Sequence, residues 1–132
     1  MAYLIDTDTI IYVLKGVETV KARFRENDAI PKSLSVITYG ELLFGARHSQ
    51  RKAENLSRVY RVKELFPVID LDKAVIETFA ELKAELVKKG QTLDDMDLLI
   101  AATALTHNLT LVTNNERHFS RISGLLTENW TR

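Results

Sequence analysis

Apolar positions along the chain alternate between two spacings. Short runs rich in Val, Ile, Leu and Thr occur at Tyr3–Ile5, Leu34–Ile37, Phe66–Leu71, Thr110–Thr113 and Leu125–Thr127. Their length and composition predict strands. Helical patterns lie between them. "TIIYVLKG" stops at Gly16, and "VETVKARFREN" follows as a second short helix. "TYGELLFGARHS" begins at Thr38, and "RKAENLSRVYRVKEL" places Leu56, Val59, Val62 and Leu65 near a helical repeat. Asp72 to Lys89 carries Val75, Phe79, Leu82 and Leu86 on one stripe, with Gly90 as its stop. Asp94 to His107 holds "LLIAATAL", apolar almost all round and therefore a buried helix. Strands alternating with helices predict an α/β protein whose short-stranded, mainly parallel sheet is covered on both faces. At 132 residues, and without repeats or linkers, the chain is expected to be one domain, 1–132.

The pattern also shows where polar residues interrupt apolar ones. In "AYLIDTDTII" a strand ends on Asp6, Thr7 and Asp8. Helix capping explains this plainly, since Asp and Thr oxygens accept the free N–H groups of a first turn. Glu41, in "SLSVITYGELLFGA", has a similar explanation as the far end of a capping box that begins at Thr38. Asp97, in "LDDMDLLIAATAL", sits at the third position of a helix capped by Asp94, where the helix dipole favours an acid. Taken together, the three junctions carry a different implication. In an open parallel sheet, ligands bind beyond the carboxyl ends of the strands. Carboxylates gathered there raise one another's pKa unless a cation intervenes. Mg²⁺, with Mn²⁺ as a substitute, takes such oxygen ligands and serves phosphoryl chemistry. A fourth junction, "TLVTNNERHF", adds Thr113, Asn115 and Glu116 as auxiliary candidates, with Asn114 better suited to an Asx turn.

Composition changes the picture little and charge distribution more. Hydrophobic residues make up 45% and charged residues 27%, the profile of an ordinary globular protein. There is no cysteine, which excludes disulfides and thiolate metal sites. No apolar run is long enough for a membrane span, and no basic leader precedes Asp6, so a cytoplasmic location is expected. The net charge is zero, but Arg47, Arg51, Lys52, Arg58, Arg61 and Lys63 face the single acid Glu54 in one stretch. A basic flank beside an acidic spot suits a polyanion held near metal ions, with Arg47, Arg51, Lys52, Arg58 and Arg61 as candidate RNA phosphate contacts. A solvated helix face explains the same residues equally well.

The segments "YLIDTDTIIY", "VITYGELLFGA", "DDMDLLIAATAL" and "LTLVTNNERHFSRISGLLTENW" together resemble the PIN-domain ribonucleases, and among them the VapC toxins of type II toxin–antitoxin pairs. The resemblance covers nearly the whole chain, in order. It implies a three-layer α/β/α fold and Mg²⁺-dependent endonucleolytic cleavage of RNA by a metal-activated water. It also implies a cognate VapB-type antitoxin and a toxin homodimer. The family's acids fall on Asp6, Glu41 and Asp97, with Asp6 and Asp97 as metal ligands and Asp94 as an auxiliary. The fourth family acid falls on Asn115, a departure that bears on a second metal ion, with Glu116 adjacent. The tail resembles VapC toxins that cut initiator tRNA.

Four other assignments compete. A haloacid-dehalogenase-like phosphatase also starts with a strand and Asp-x-Asp, but Ile10 stands where Thr or Val is usual, and no later Lys-plus-acid pair follows. A phosphorelay receiver needs a Lys after a late strand, and none lies near Thr113, although Asp70 suits its middle-strand acid. A PIN-domain RNA-processing nuclease outside any toxin–antitoxin pair keeps the same site. A PIN-like module that only binds a partner is disfavoured by the intact Asp6, Glu41 and Asp97.

Overall fold

The structure is a computed structural model describing residues 1–132. Five strands, β1 (Tyr3–Ile5), β2 (Lys32–Ser35), β3 (Val68–Ile69), β4 (Thr110–Val112) and β5 (Thr127–Glu128), form one sheet in the order β3-β2-β1-β4-β5. Every pairing is parallel, with Tyr3 opposite both Lys32 and Thr110, and Ile5 opposite Val112. Parallel neighbours need crossover connections, and helices supply them. These are α1 (Thr7–Leu14) and α2 (Glu18–Glu26), α3 (Val36–Arg47) and α4 (Lys52–Leu65), α5 (Lys73–Lys88) and α6 (Asp95–Thr106), and the single turn α7 (Glu116–Phe119).

Strand side chains alternate between faces, and both faces are buried. Tyr3, Ile5, Leu34 and Val112 pack with Ile10 of α1, Leu42 and Ala46 of α3, Val59 and Val62 of α4, and Trp130. On the other face Leu4 and Leu111 pack with Leu86 of α5, the Leu98, Ile100, Ala101 and Ala104 stripe of α6, and Phe119. This is the expected three-layer α/β/α arrangement. Trp130 is fully buried, meets Tyr3 and Phe24 edge-on, and donates from Nε1 to Glu128 Oε1 at 3.0 Å. Gly90 adopts the left-handed conformation that ends α5, and Gln91 N–H returns to Leu86 O at 2.9 Å.

Four strands differ from their predicted bounds, β4 only in ending at Val112 rather than Thr113. The second ends at Ser35 rather than Ile37, because Ser35 Oγ accepts Thr38 N–H at 3.0 Å and turns the chain helical from Val36. The third keeps only Val68–Ile69 of Phe66–Leu71, and the last pairs through Thr127–Glu128 rather than Leu125–Thr127. Both are sheet edges, paired on one side alone. The order of strands reverses direction between β1 and β4, where a crevice opens at their carboxyl ends.

Candidate functional site

Asp6 follows β1 directly at that crevice. It caps α1, with Oδ1 accepting Thr7 N–H at 2.8 Å. Its other oxygen accepts the Thr113 hydroxyl at 2.7 Å, a bond that crosses from the end of β1 to the end of β4. Asp6 is 6% exposed. Burial, and then the charge of Asp8, push its carboxyl up to about 7 against the opposing pull of those two hydrogen bonds. Thr113 is fully buried and accepts Asn115 N–H at 3.0 Å, so it orients Asp6 rather than offering a free ligand oxygen.

Glu41 lies in the second turn of α3, not at the end of a capping box. Ser35 is the cap, which removes the plain explanation for an acid at this position. Glu41 Oε1 instead accepts the Thr7 hydroxyl at 2.6 Å, and Thr7 Oγ1 lies 2.9 Å from Thr38 Oγ1. One threonine of α1 therefore ties α3 to the end of β1.

The three aspartates of "LDDMD" separate by geometry. Asp94 is the α6 cap and accepts Met96 N–H at 3.2 Å. Asp95 points outward and pairs with Lys83 at 2.9 Å. Asp97 lies on the buried side with Ile100, Ala101 and Ala104. Burial raises its pKa first, followed by the charges of Asp94 and Glu41, with His118 opposing and Asp8 adding to the rise.

The auxiliary candidates also divide. Asn115 borders the site, its amide nitrogen 2.9 Å from His118 Nδ1. Glu116 turns away to Arg132 at 2.6 Å and to Asn129 at 3.0 Å. Of the basic flank, Arg51 and Arg58 both lean on Glu54, at 3.7 and 3.4 Å. Arg58 also borders a groove that includes Glu41, whereas Arg61 lies beside Tyr60 and Glu64 in a separate depression. Arg47 is in the last turn of α3 and Lys52 begins α4, both exposed.

Asp6, Thr7, Asp8, Ile11, Glu41, Asp97, Asn114 and Asn115 line an open cavity of about 410 Å³. No Lys or Arg is among them. Thr7 and Asp8, which capping explains in the sequence, and Asn114, which suits an Asx turn, join the site here. Asp8 accepts Thr9 Oγ1 at 3.0 Å and Asn114 N–H at 3.1 Å, and burial raises its pKa. The available signal was the Asp-x-Asp itself, since a helix needs only one cap. Four carboxylates without a basic partner, joined by neutral Asn and Thr oxygens, form a hard-oxygen donor set that suits Mg²⁺ or Mn²⁺. No three of these acids are grouped closely enough to hold an ion among them, so an ion here would be held directly by one or two of them, with water as its other ligands.

The PIN domain family profile matches residues 3–125. A tRNA(fMet)-specific endonuclease VapC of Shigella flexneri is 33% identical over 132 residues, covering 99% of each chain. Ribonuclease VapC2 of Haemophilus influenzae is 35% identical over 131 residues, covering 98% of each. In structure, the chain superimposes on VapBC2 from Rickettsia felis, bound to a DNA fragment from its promoter, with a TM-score of 0.92 and 32% identity, over 98% of this chain and 99% of that one.

Proposed function

Because this chain belongs to the PIN domain family, within its VapC branch, we propose that it is the endoribonuclease toxin of a VapB–VapC pair and cuts initiator tRNA. The carrying observation is the cavity at the β1–β4 crevice, where Asp6, Asp8, Glu41 and Asp97 gather without a basic side chain. Asp6, Glu41 and Asp97 are the catalytic acids in this proposal, and Asp6 and Asp97 hold the divalent ion. A bound Mg²⁺ supplies Lewis acidity to the scissile phosphate and to the attacking water. The protein's own part is positioning. Thr113 and Thr7 N–H fix both oxygens of Asp6, and the Thr7 hydroxyl steers Glu41, which is otherwise exposed and free to swing. Asp6, buried and raised in pKa by burial and by Asp8, would ionise more readily beside a bound cation. Arg58 and Lys15, on the groove beside Glu41, lie where flanking phosphates of an RNA strand would run.

The same groove supports the antitoxin partner. Ile11, Leu14, Leu42, Ala46 and Val59 give it an apolar floor that ends at Glu41. An amphipathic segment lies well in such a groove, and a basic side chain at its end would meet the acid cavity. No helix is long and apolar enough to cross a membrane, which agrees with a cytoplasmic site of action.

The direct test is cleavage of purified initiator tRNA, with Mg²⁺, with EDTA, and with the cognate antitoxin added. End-mapping of cellular RNA after brief induction tests the substrate independently. Mg²⁺-dependent scission at one tRNA position, blocked by the antitoxin, is expected. Intact tRNA alongside cleavage of another RNA would keep the nuclease and discard the substrate.

A further inference from the structure

We propose that Asp8 supplies the fourth carboxylate for divalent-ion binding, in place of an acid in the turn after β4. This rests on the nuclease assignment above and deepens it. Position 115 carries an amide, engaged by His118. The neighbouring acid, Glu116, is held outward by Arg132 and Asn129, so it does not fill the gap. Asp8 approaches from α1. It is the second residue of α1, two positions from the Asp6 cap, and it lines the cavity with Asp6, Glu41, Asp97 and Asn115. Its Oδ2 accepts the N–H of Asn114, the residue before Asn115. The Asp8 carboxylate is therefore docked against the turn in which the acid is missing.

The carboxylate is also fixed in place. It accepts hydrogen bonds from Thr9 Oγ1 and Asn114 N–H, and Thr9 N–H and the Thr113 hydroxyl also bear on it. It nonetheless lines the open cavity. These neighbours hold it in one orientation before any ion arrives. A capping role is already taken, because Asp6 is the α1 cap. What remains as a competing explanation is a staple that pins α1 to the β4–α7 turn.

Asp8→Asn separates the two. Asn retains an oxygen for Asn114 N–H and loses only the charge. Mn²⁺ binding to the full chain, followed by calorimetric titration and by the electron paramagnetic resonance of the free ion, gives a readout independent of cleavage. Asp8→Asn is expected to weaken Mn²⁺ binding by about 10–100-fold. Asn115→Asp in the Asp8→Asn background is expected to restore it, by placing a carboxylate in the turn after β4. Mn²⁺ binding within twofold of wild type in Asp8→Asn, with or without a lower melting temperature, overturns the proposal and leaves the staple. So does weakened binding that Asn115→Asp does not recover. Asp97→Asn run in parallel keeps the two levels apart. If it too binds Mn²⁺ normally, or the wild type binds none, the ion-dependent nuclease assignment falls with this inference. If Asp97→Asn loses binding and Asp8→Asn does not, only this inference falls.

Discussion

Replacing Asp6 by Asn is expected to make the ion-free protein more stable while abolishing cleavage. Asp6 is 6% exposed, and its carboxyl is raised from 3.8 to about 7 by burial and then by Asp8. Between those values the unfolded chain has released the proton and the folded chain still holds it. Stability therefore falls as pH rises through this window, and the full penalty is present above about pH 7. At 1.36 kcal/mol per pH unit the penalty is about 4 kcal/mol. Asn has the same shape and no charge. Its oxygen can accept Thr7 N–H, and its amide can donate to Thr113 Oγ1 in exchange for the present bond. Allowing for an imperfect exchange, the gain is about 2–4 kcal/mol at pH 8, or roughly 7–14 °C in melting temperature for a chain of this size. Thermal melts in EDTA from pH 4 to pH 8 read this directly. The advantage of Asp6→Asn is expected to be largest at pH 8 and to shrink steadily toward pH 4. Added Mg²⁺ is expected to raise the wild-type melting temperature and not that of the variant. A variant that melts at or below wild type at pH 8 in EDTA, or an advantage of the same size at pH 4, would refute the reasoning.

Three further outcomes follow from the same geometry. Asp97→Asn is expected to abolish metal-dependent RNA cleavage with little change in melting, whereas Asp95→Asn keeps cleavage and shifts stability by less than about 1 kcal/mol, because its exposed Lys83 pair is weak; cleavage rate against Mg²⁺ concentration and thermal melting check both. Thr113→Val removes a hydrogen bond that lowers the Asp6 pKa, so the acidic limb of the pH–rate profile is expected to move to higher pH, and Thr113→Ser to move it back. Trp130→Ala empties a fully buried site packed against Tyr3 and Phe24, and is expected to cost about 3–5 kcal/mol in denaturant unfolding.

The layers of the fold were legible because both sheet faces are apolar. A run such as Tyr3-Leu4-Ile5, buried at every position, has no other common home than a covered parallel sheet. The long α5 stripe and the all-apolar α6 fixed two helices for the same reason. Edges were less legible. β3 and β5 each hold two residues, so their composition carries little information and their ends depend on pairing alone. The start of α3 went astray because Ser35 and Thr38 are both good caps three positions apart. The tertiary bond from Thr7 to Glu41 gives the second of them a different use.

The same ambiguity explains why the spacing of acids alone does not mark Asp8. Caps and metal ligands draw on the same residue types, and both gather where a strand gives way to a helix. Asp6 is such a cap, with one oxygen on Thr7 N–H and the other on the Thr113 hydroxyl, and a ligand as well in our proposal. Once a single cap satisfies the first turn of α1, a second acid two residues on gains nothing from that helix beyond a modest dipole term. Its burial beside Asp6 adds a repulsion that raises the Asp6 pKa. An acid placed where it raises its neighbour's pKa is costly to the empty fold, and a bound cation would offset that cost. Excess carboxylates at a junction, beyond those that capping can use, are thus a sequence-level sign of an ion site. In this chain "DTD" carries such an excess.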